Sequence, residues 1–385
     1  MKHSVEYKKL GDCCEFSSGG RPNGGVRDIT SGALSLGGEH IGKNGYVDLT
    51  TPKYVPEEFY KSYGKGYIQK GDILLCKDGA LSGKVCIVRD ELDGQLAMVN
   101  EHVFIIRSQA LQQFYLYYYL LSNIGQARLR SKITGSAQGG INTTNIKEIP
   151  VPILDLSNQE KVINELDSLT SIIEDKKKQL EELDCFAQAL FHDMFGSPEK
   201  NEKGFPLLQM QDVVKYQGGS QPDKKYFEYE ATPDNIRLIQ IRDYKTDKYI
   251  TYIPKALAKK FCTADDIMIG RYGPPIFQVL KGLEGAYNVA LMKAIPLKGE
   301  KEFVRFFLKQ DCLRIYLENF SQRVAGQDGI QMDKLKVYPF PFPPIELQQE
   351  FVKKIEIIEG QKSEIEASIK EFENLLAQRM EFHFA

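Results

Sequence analysis

The stretch Gln138-Gly-Gly-Ile-Asn-Thr-Thr-Asn-Ile-Lys-Glu-Ile-Pro-Val-Pro152 is written a second time, 189 residues later, as Gln327-Asp-Gly-Ile-Gln-Met-Asp-Lys-Leu-Lys-Val-Tyr-Pro-Phe-Pro341. The Gln, Gly, Ile, aliphatic and both Pro positions line up. Working outward, Asn158-Gln-Glu160 answers Gln348-Gln-Glu350 if one residue is inserted after the second proline, an offset of 190. Upstream, Phe114 and Tyr117-Tyr118 answer Phe303 and Phe306-Phe307. Gly71-Asp-Ile-Leu74 answers Asp265-Asp-Ile-Met268, and Gly19-Gly20 answers Gly218-Gly219. Five matches in one order identify a tandem duplication.

Both copies follow one plan. Short β-rich runs, such as Asp72–Cys76, Val103–Ile106 and Ile236–Gln240, are bounded by Gly, Asp and Asn and predict strands. An aromatic helix follows, then a proline-punctuated exit, since Pro150/Pro152 and Pro339/Pro341 stop a helix and favour extended chain. Each exit leads into a long helix. For the first, Ser157 and Glu160 have the spacing of a capping box.

The long helices carry a heptad seam. Apolar residues recur at Val162, Leu166, Leu169, Ile173, Leu180, Leu183, Ala187, Leu190 and Met194, with Lys176 intruding. In the second copy they recur at Val352, Ile355, Ile358, Ile365, Ile369, Phe372 and Leu376, with a break at Lys362. A stripe of this length must be buried, and the economical partner is the other copy. The expected fold class is therefore α+β: two similar α/β domains separated by an antiparallel coiled coil of two long helices, a tandem pseudo-two-fold repeat. The expected boundaries are 1–156 for the first domain and 157–196 for its helix. A polar, breaker-rich linker at 197–203, the second domain at 204–343 and its helix at 344–385 complete the chain.

Composition excludes several classes. The 385 residues suggest two domains, and 42% hydrophobic with 26% charged residues is ordinary for a folded chain. No apolar run approaches the ~20 residues a membrane helix needs, and the N-terminus lacks a signal-peptide core, so a cytoplasmic location is expected. The seven cysteines are odd in number and scattered, without a CxxC pair. The net charge of −2 argues against a uniformly basic nucleic-acid binder. Divided by segment, Lys plus Arg against Asp plus Glu is 18 to 16 over 1–156 and 21 to 16 over 204–344. The helical segments 157–203 and 345–385 carry 6 to 11 and 5 to 9. Mildly positive heads on a negative rod permit a phosphate-binding role for the heads.

No motif for catalysis stands out. Gly79-Ala-Leu-Ser-Gly83-Lys84-Val85 has three residues between its glycines where a phosphate loop has four, and no Ser or Thr after the lysine. Gly273-Pro-Pro-Ile276 and Phe342-Pro-Pro-Ile345 lack the Asn or Asp and the aromatic of an amino-methyltransferase motif. The five histidines show no metal-ligand spacing. Glu174-Asp-Lys176 has nuclease-like content but falls on the seam helix, where a solvated face explains it better. Recognition, not catalysis, is the expected role.

The Gly-x-x-x-Gly-Ile segment, the Ile-x-x-Ile-Pro-x-Pro exit and the helix end Ala189-Leu-Phe-His-Asp-Met-Phe-Gly196 resemble the specificity subunit of type I restriction–modification systems, over essentially the whole chain. The resemblance implies two target recognition domains, each reading half of a split double-stranded DNA site, with the coiled coil as a ruler. It implies two methyltransferase subunits and two ATP-driven restriction/translocase subunits as partners. No cofactor is expected in this chain; S-adenosylmethionine, ATP and magnesium belong to those partners. The family's Pro-Leu-Pro-x-x-Glu-Gln helix entry is altered here to Asn158-Gln159 and Gln348-Gln349, without the acid.

Base edges are read by Arg, Lys, Gln and Asn, and phosphates are held by cations and small polar groups. On that basis the candidate DNA contacts are Arg21, Lys43, Lys77, Lys84 and Gln138 in the first domain. In the second they are Lys224, Lys225, Arg242, Arg271, Tyr272, Arg323 and Gln327. Rival readings are a duplicated non-catalytic scaffold that binds proteins, and the specificity component of a restriction enzyme whose methylase and nuclease share one chain.

Overall fold

The computed structural model describes residues 6–27, 29–42, 44–135, 139–273, 275–320, 322–324 and 327–385. The chain folds as two compact units, Met1–Gln179 with Ile365–Ala385, and Leu180–Glu364. Each unit holds one mixed domain, part of its own long helix and part of the other copy's.

Among the described residues of the first unit the strands are β1 (Glu6–Lys9), β2 (Cys14–Ser18), β3 (Ala33–Leu36), β4 (Tyr54–Val55), β5 (Ile73–Cys76), β6 (Val85–Ile87), β7 (Ala97–Val99), β8 (Val103–Ser108) and β9 (Pro150–Ile153). They form an antiparallel sheet of order β2-β8-β5-β6, a small sheet of order β4-β3-β7, and the pair β1-β9. The proline exit is thus an edge strand, where a missing N–H is tolerated; Lys9 faces Pro150 and Tyr7 faces Pro152.

Helix α1 (Gln113–Leu121) is buried on all sides. Its tyrosines are accommodated because each hydroxyl finds a partner. Tyr115 donates to the Pro152 carbonyl (3.2 Å) and Tyr117 to the Gly45 carbonyl (3.1 Å). Tyr119 donates to the Pro150 carbonyl, and Tyr118 to Asp167 of the long helix (2.6 Å). Arg89 joins the same anchor, bonding Asp167 at 2.9 Å between the rings of Tyr46 and Phe114.

The second unit repeats the order. Its strands are β10 (Leu207–Gln209), β11 (Val214–Gly218), β12 (Asn235–Ile239), β13 (Tyr252–Pro254), β14 (Phe261–Cys262), β15 (Ile267–Gly270), β16 (Tyr272–Gly273) and β17 (Gln278–Lys281). They continue with β18 (Gly285–Tyr287), β19 (Leu291–Pro296), β20 (Gln322–Val324), β21 (Gln327–Gly329) and β22 (Pro339–Pro341). The sheets run β11-β19-β15-β17, β13-β12-β18-β14 and β16-β21-β20, with β10 on β22.

The long helices are α2 (Leu156–Phe195) and α4 (Ile345–Phe384), 40 residues each, with α3 (Lys301–Leu308) standing where α1 stands. Within the first unit Lys177 meets Glu373 at 2.8 Å, while Glu165 meets Arg379 and His383. Within the second, Asp184 meets Lys362 at 2.6 Å and Phe191 packs on Phe351. In both units the helices run antiparallel. Of the seam positions, Leu166, Leu169, Ile173, Ile355, Ile358 and Ile369 are buried, and Leu180, Leu183, Ile365 and Phe372 are half-buried. The polar intruders are provided for. The Lys176 ammonium lies 5.8 Å over the Phe372 ring, and Lys362 is held by Asp184 and Glu359.

Four sequence expectations need correction. The helices start and stop one residue from the expected 157–196 and 344–385, at 156–195 and 345–384. Asp155, not Ser157, caps α2: its carboxylate accepts from the Asn158 N–H at 2.9 Å, and a carboxylate at that position is the stronger acceptor. The inserted residue after the second proline does not exist. Gln159 and Gln348 occupy one structural position, keeping the offset at 189. Each accepts from the backbone N–H that opens the aromatic helix, Gln112 (2.8 Å) or Glu300 (2.9 Å). Each donates five residues back, to the Leu154 carbonyl (2.7 Å) or the Pro343 carbonyl (2.8 Å). The same contacts move the aromatic match by one, so Tyr115 and Phe303 correspond. Tyr115 packs on Phe384 and Phe303 on Phe195, the terminal phenylalanines of the two long helices.

Gln159 and Gln348 are 1% and 0% exposed. Replacing either with Ala leaves a buried N–H and a buried carbonyl unmatched, for an expected loss of about 2–4 kcal/mol. Urea unfolding of the two single variants checks this.

Glu165 carries a pH dependence. The Arg379 guanidinium, with His383 beside it and burial opposing, holds its carboxyl below the usual glutamate value. A depressed carboxylate contributes stability that is present above its unfolded pKa and is lost as pH falls through the folded one. Hydrogen-exchange protection factors at the C-terminal turns of α4 should therefore fall below about pH 4.5, and Glu165→Gln should remove that acid step.

Candidate nucleic-acid interface

In the first domain the candidate residues lie on loops that glycines allow to converge. A Cβ at Gly19 would collide with the Val99 carbonyl, and one at Gly38 would press on the Cys76 sulfur. The loop after β2 therefore reaches the end of β7, and the loop after β3 reaches the end of β5. Gly219 in the second domain makes the same approach to the Asn288 carbonyl, so Gly19 corresponds to Gly219 and not to Gly218.

The connection from β5 to β6 is a hairpin. Gly83 N–H donates to the Cys76 carbonyl (2.8 Å), and Asp78 bridges to Gly140. The sequence Gly79–Lys84 thus turns between strands, with one 3-10 turn at Gly79–Leu81, instead of opening an α-helix. Ser82 Oγ donates to the carbonyls of Gly79 (2.8 Å) and Gly139 (2.9 Å), tying the loop at 139–141 down beside it.

Arg21 and Lys77 come together on this face. Arg21 Nε donates to both oxygens of Glu101 (2.7 and 2.9 Å); His102 stands between Glu101 (3.3 Å) and Asp78 (3.1 Å). The Glu101 contact pushes the Arg21 guanidinium further up. Lys77, beside Asp78, lies 5.0 Å over the Phe104 ring. Lys84 is half-buried at the far stem of the hairpin. Lys43 and Gln138 lie outside the described residues. Sequence reading passed over Glu101, His102 and Asp78, since lone polar residues at strand ends give no periodic signal.

The second domain presents the same positions with other side chains. Arg271 follows β15 where Lys77 follows β5, and Tyr272 bridges to Gly329 as Asp78 bridges to Gly140. Arg271 Nη1 donates to the Val289 carbonyl (3.3 Å) and its guanidinium lies 5.5 Å from the Tyr272 ring centre. Gly270 lets the Ile241 side chain approach, which brings the turn that carries Arg242 against the end of β15. Arg242 is exposed and donates to Thr251 Oγ1 (3.1 Å) and the Tyr249 carbonyl (3.3 Å). Lys224 and Lys225 are exposed in a single turn capped by Asp223. Arg323 and Gln327 lie on the β20-β21 pair, whose backbone joins Tyr272 and Gly273; their side chains lie outside the described residues. Sequence reading also missed Tyr229, Lys248 and Tyr249, which line a cleft with Arg242. Alternating Lys and Tyr across 244–252 was the available signal.

These loops offer cations, amides and backbone groups. Among the described residues no group of three or more His, Cys, Asp or Glu side chains could hold a metal ion. Among the described residues, no helix is long and apolar enough to cross a membrane.

The family described as type I restriction modification DNA specificity domain matches residues 3–184. The type I restriction enzyme MjaIX specificity subunit of Methanocaldococcus jannaschii is 24% identical over 279 residues, covering 63% of this chain; the match spans 63% of that relative's length. The putative type I restriction enzyme MjaX specificity subunit of the same organism is 23% identical over 368 residues, covering 86% of this chain and 83% of the relative. In fold, the chain is similar to the type I restriction–modification S subunit of M. genitalium. Their TM-score is 0.56 at 11% identity, covering 100% of this chain and 98% of that one.

Proposed function

Because this chain belongs to the type I restriction–modification specificity family, we propose that it is the DNA-reading subunit of such a complex, without catalysis of its own. Each domain reads one half of a bipartite double-stranded site with the loop face around Arg21 and Lys77, or around Arg271 and Tyr272. The long helices set the unread spacer and dock two methyltransferase subunits, and two restriction/translocase subunits complete the cytoplasmic assembly. S-adenosylmethionine, ATP and magnesium act on those partners. The observation that carries the reading is the repeated placement of a cation directly after the same strand, Lys77 and Arg271, on loops joined by the same backbone bridge. One protein with two equivalent reading faces suits a split site.

The test is binding by the full chain together with its methyltransferase partners. Specific affinity for a bipartite duplex, falling steeply with salt, is expected. Replacing residues 1–156 with the corresponding domain of a relative should change one half-site and leave the other. Methylation or cleavage of DNA by the purified chain alone would overturn the proposal, as would salt-insensitive binding. A protein-binding scaffold would give the latter result.

A further inference from the structure

Among the described residues, the second domain carries an aromatic and cationic cleft at a turn that the first domain builds differently. Tyr229, Arg242, Lys248, Tyr249 and Tyr252 line an open cleft of about 500 Å³. Tyr229 is 73% exposed and Tyr249 50%. Two cations lie against the Tyr249 ring, Lys248 Nζ at 5.3 Å and the Arg242 guanidinium at 5.7 Å. Asp247, the acid in the lining, is engaged by Arg237 at 3.2 Å. Among the described residues Lys248 has no ion-pair partner.

The charge distribution favours the same place. Residues 224–260 hold nine Lys and Arg against five Asp and Glu. That net +4 is most of the +5 of the whole 204–344 segment. The first domain builds the matching turn differently. There His40 Nδ1 accepts from the Gly37 N–H (2.9 Å), as Asp243 accepts from the Gln240 N–H (3.1 Å). This equivalence sets Glu39, paired with Lys53, at the position of Arg242. An acid at that point repels phosphate.

We propose that this cleft grips the backbone of duplex DNA: Arg242 and Lys248 neutralise phosphates, while Tyr229 and Tyr249 pack on the adjoining sugars. Cations and exposed aromatics placed on the backbone tolerate any sequence, because every nucleotide offers the same phosphate and sugar. The cleft therefore anchors the second domain without adding to its sequence choice, and among the described residues the first domain shows no equivalent anchor at that turn. This rests on the DNA-reading role proposed above.

The experiment compares Lys248→Ala and Arg242→Ala with the unsubstituted chain, each in complex with its methyltransferase partners. A matched duplex and one with a scrambled second half-site are titrated from 0.05 to 0.2 M salt. Each variant should lose affinity for both duplexes by the same factor. Its salt slope should be shallower by about 0.9, so the loss is roughly threefold larger at the low-salt end. Lys248 is exposed and its truncation leaves the fold intact, which keeps the test valid if Arg242→Ala destabilises the turn. Unchanged slopes, or a loss confined to the matched duplex, overturn the anchor while the DNA-reading role stands. Failure of the unsubstituted complex to prefer the matched duplex overturns both.

Discussion

Removing residues 176–182 and 365–371, one heptad from equivalent places in both long helices, should shorten the unread spacer of the recognised site by about three base pairs. Both half-sites should stay the same. Seven residues rise about 10.5 Å in a helix, and B-DNA rises about 3.4 Å per base pair. A whole heptad keeps the seam in register: Leu183 takes up the step after Ile173, and Phe372 the step after Lys362. The deletions spare Phe195 and Phe384, so each domain keeps its own anchor on a helix end. Mapping methylated adenines in cells carrying the shortened chain gives the answer. The effect on the natural site is near-total loss, since two half-sites cannot both be reached. An unchanged spacer would remove the ruler from the proposed function.

A second large effect is expected at Asp72, which is 1% exposed. Arg107 grips it through Nε (2.6 Å) and Nη2 (2.7 Å), and it also accepts from the Gln69 N–H at 2.9 Å. Asp72→Ala leaves a guanidinium and a backbone donor without their acceptor beside β5. Breaking a buried pair costs about 3–5 kcal/mol, and the lower end applies because the Arg107 side chain is 38% exposed. Asp72→Asn retains one acceptor and should lose less. The counterpart Asp266 accepts from Thr263 N–H (2.8 Å) and Lys293 (2.9 Å), so the same ranking is expected in the second unit. Thermal unfolding of the four variants tests both. Equal stability of Asp72→Ala and the parent would show that the pair adds nothing beyond solvation.

Asp72 also shows why some of the repeat was legible. The Gly-Asp-Ile-Leu and Asp-Asp-Ile-Met segments retain an acid because a turn three residues earlier needs its N–H satisfied in both copies. The helix entry was legible only in part. Gln159 and Gln348 stood out in the sequence, but their alignment slipped by a residue. Counting along the chain cannot register that both side chains reach back to the aromatic helix. Contacts across 47 and 48 residues decided the equivalence.

The sequence by itself determined the duplication, the two long helices and the domain order, because proline exits and heptad periodicity are local or periodic constraints. It also drew attention to cations at the strand ends. Only the tertiary structure decided which of them share a face. Arg21 meets Glu101 across 80 residues, and Lys77 sits beside a loop brought in by Gly140. It likewise decided that Arg242, Lys248 and Tyr249 form one cleft in the second domain while Glu39 occupies that turn in the first. Such groupings depend on how closely glycines let distant backbones approach, a distance that no spacing along the chain records.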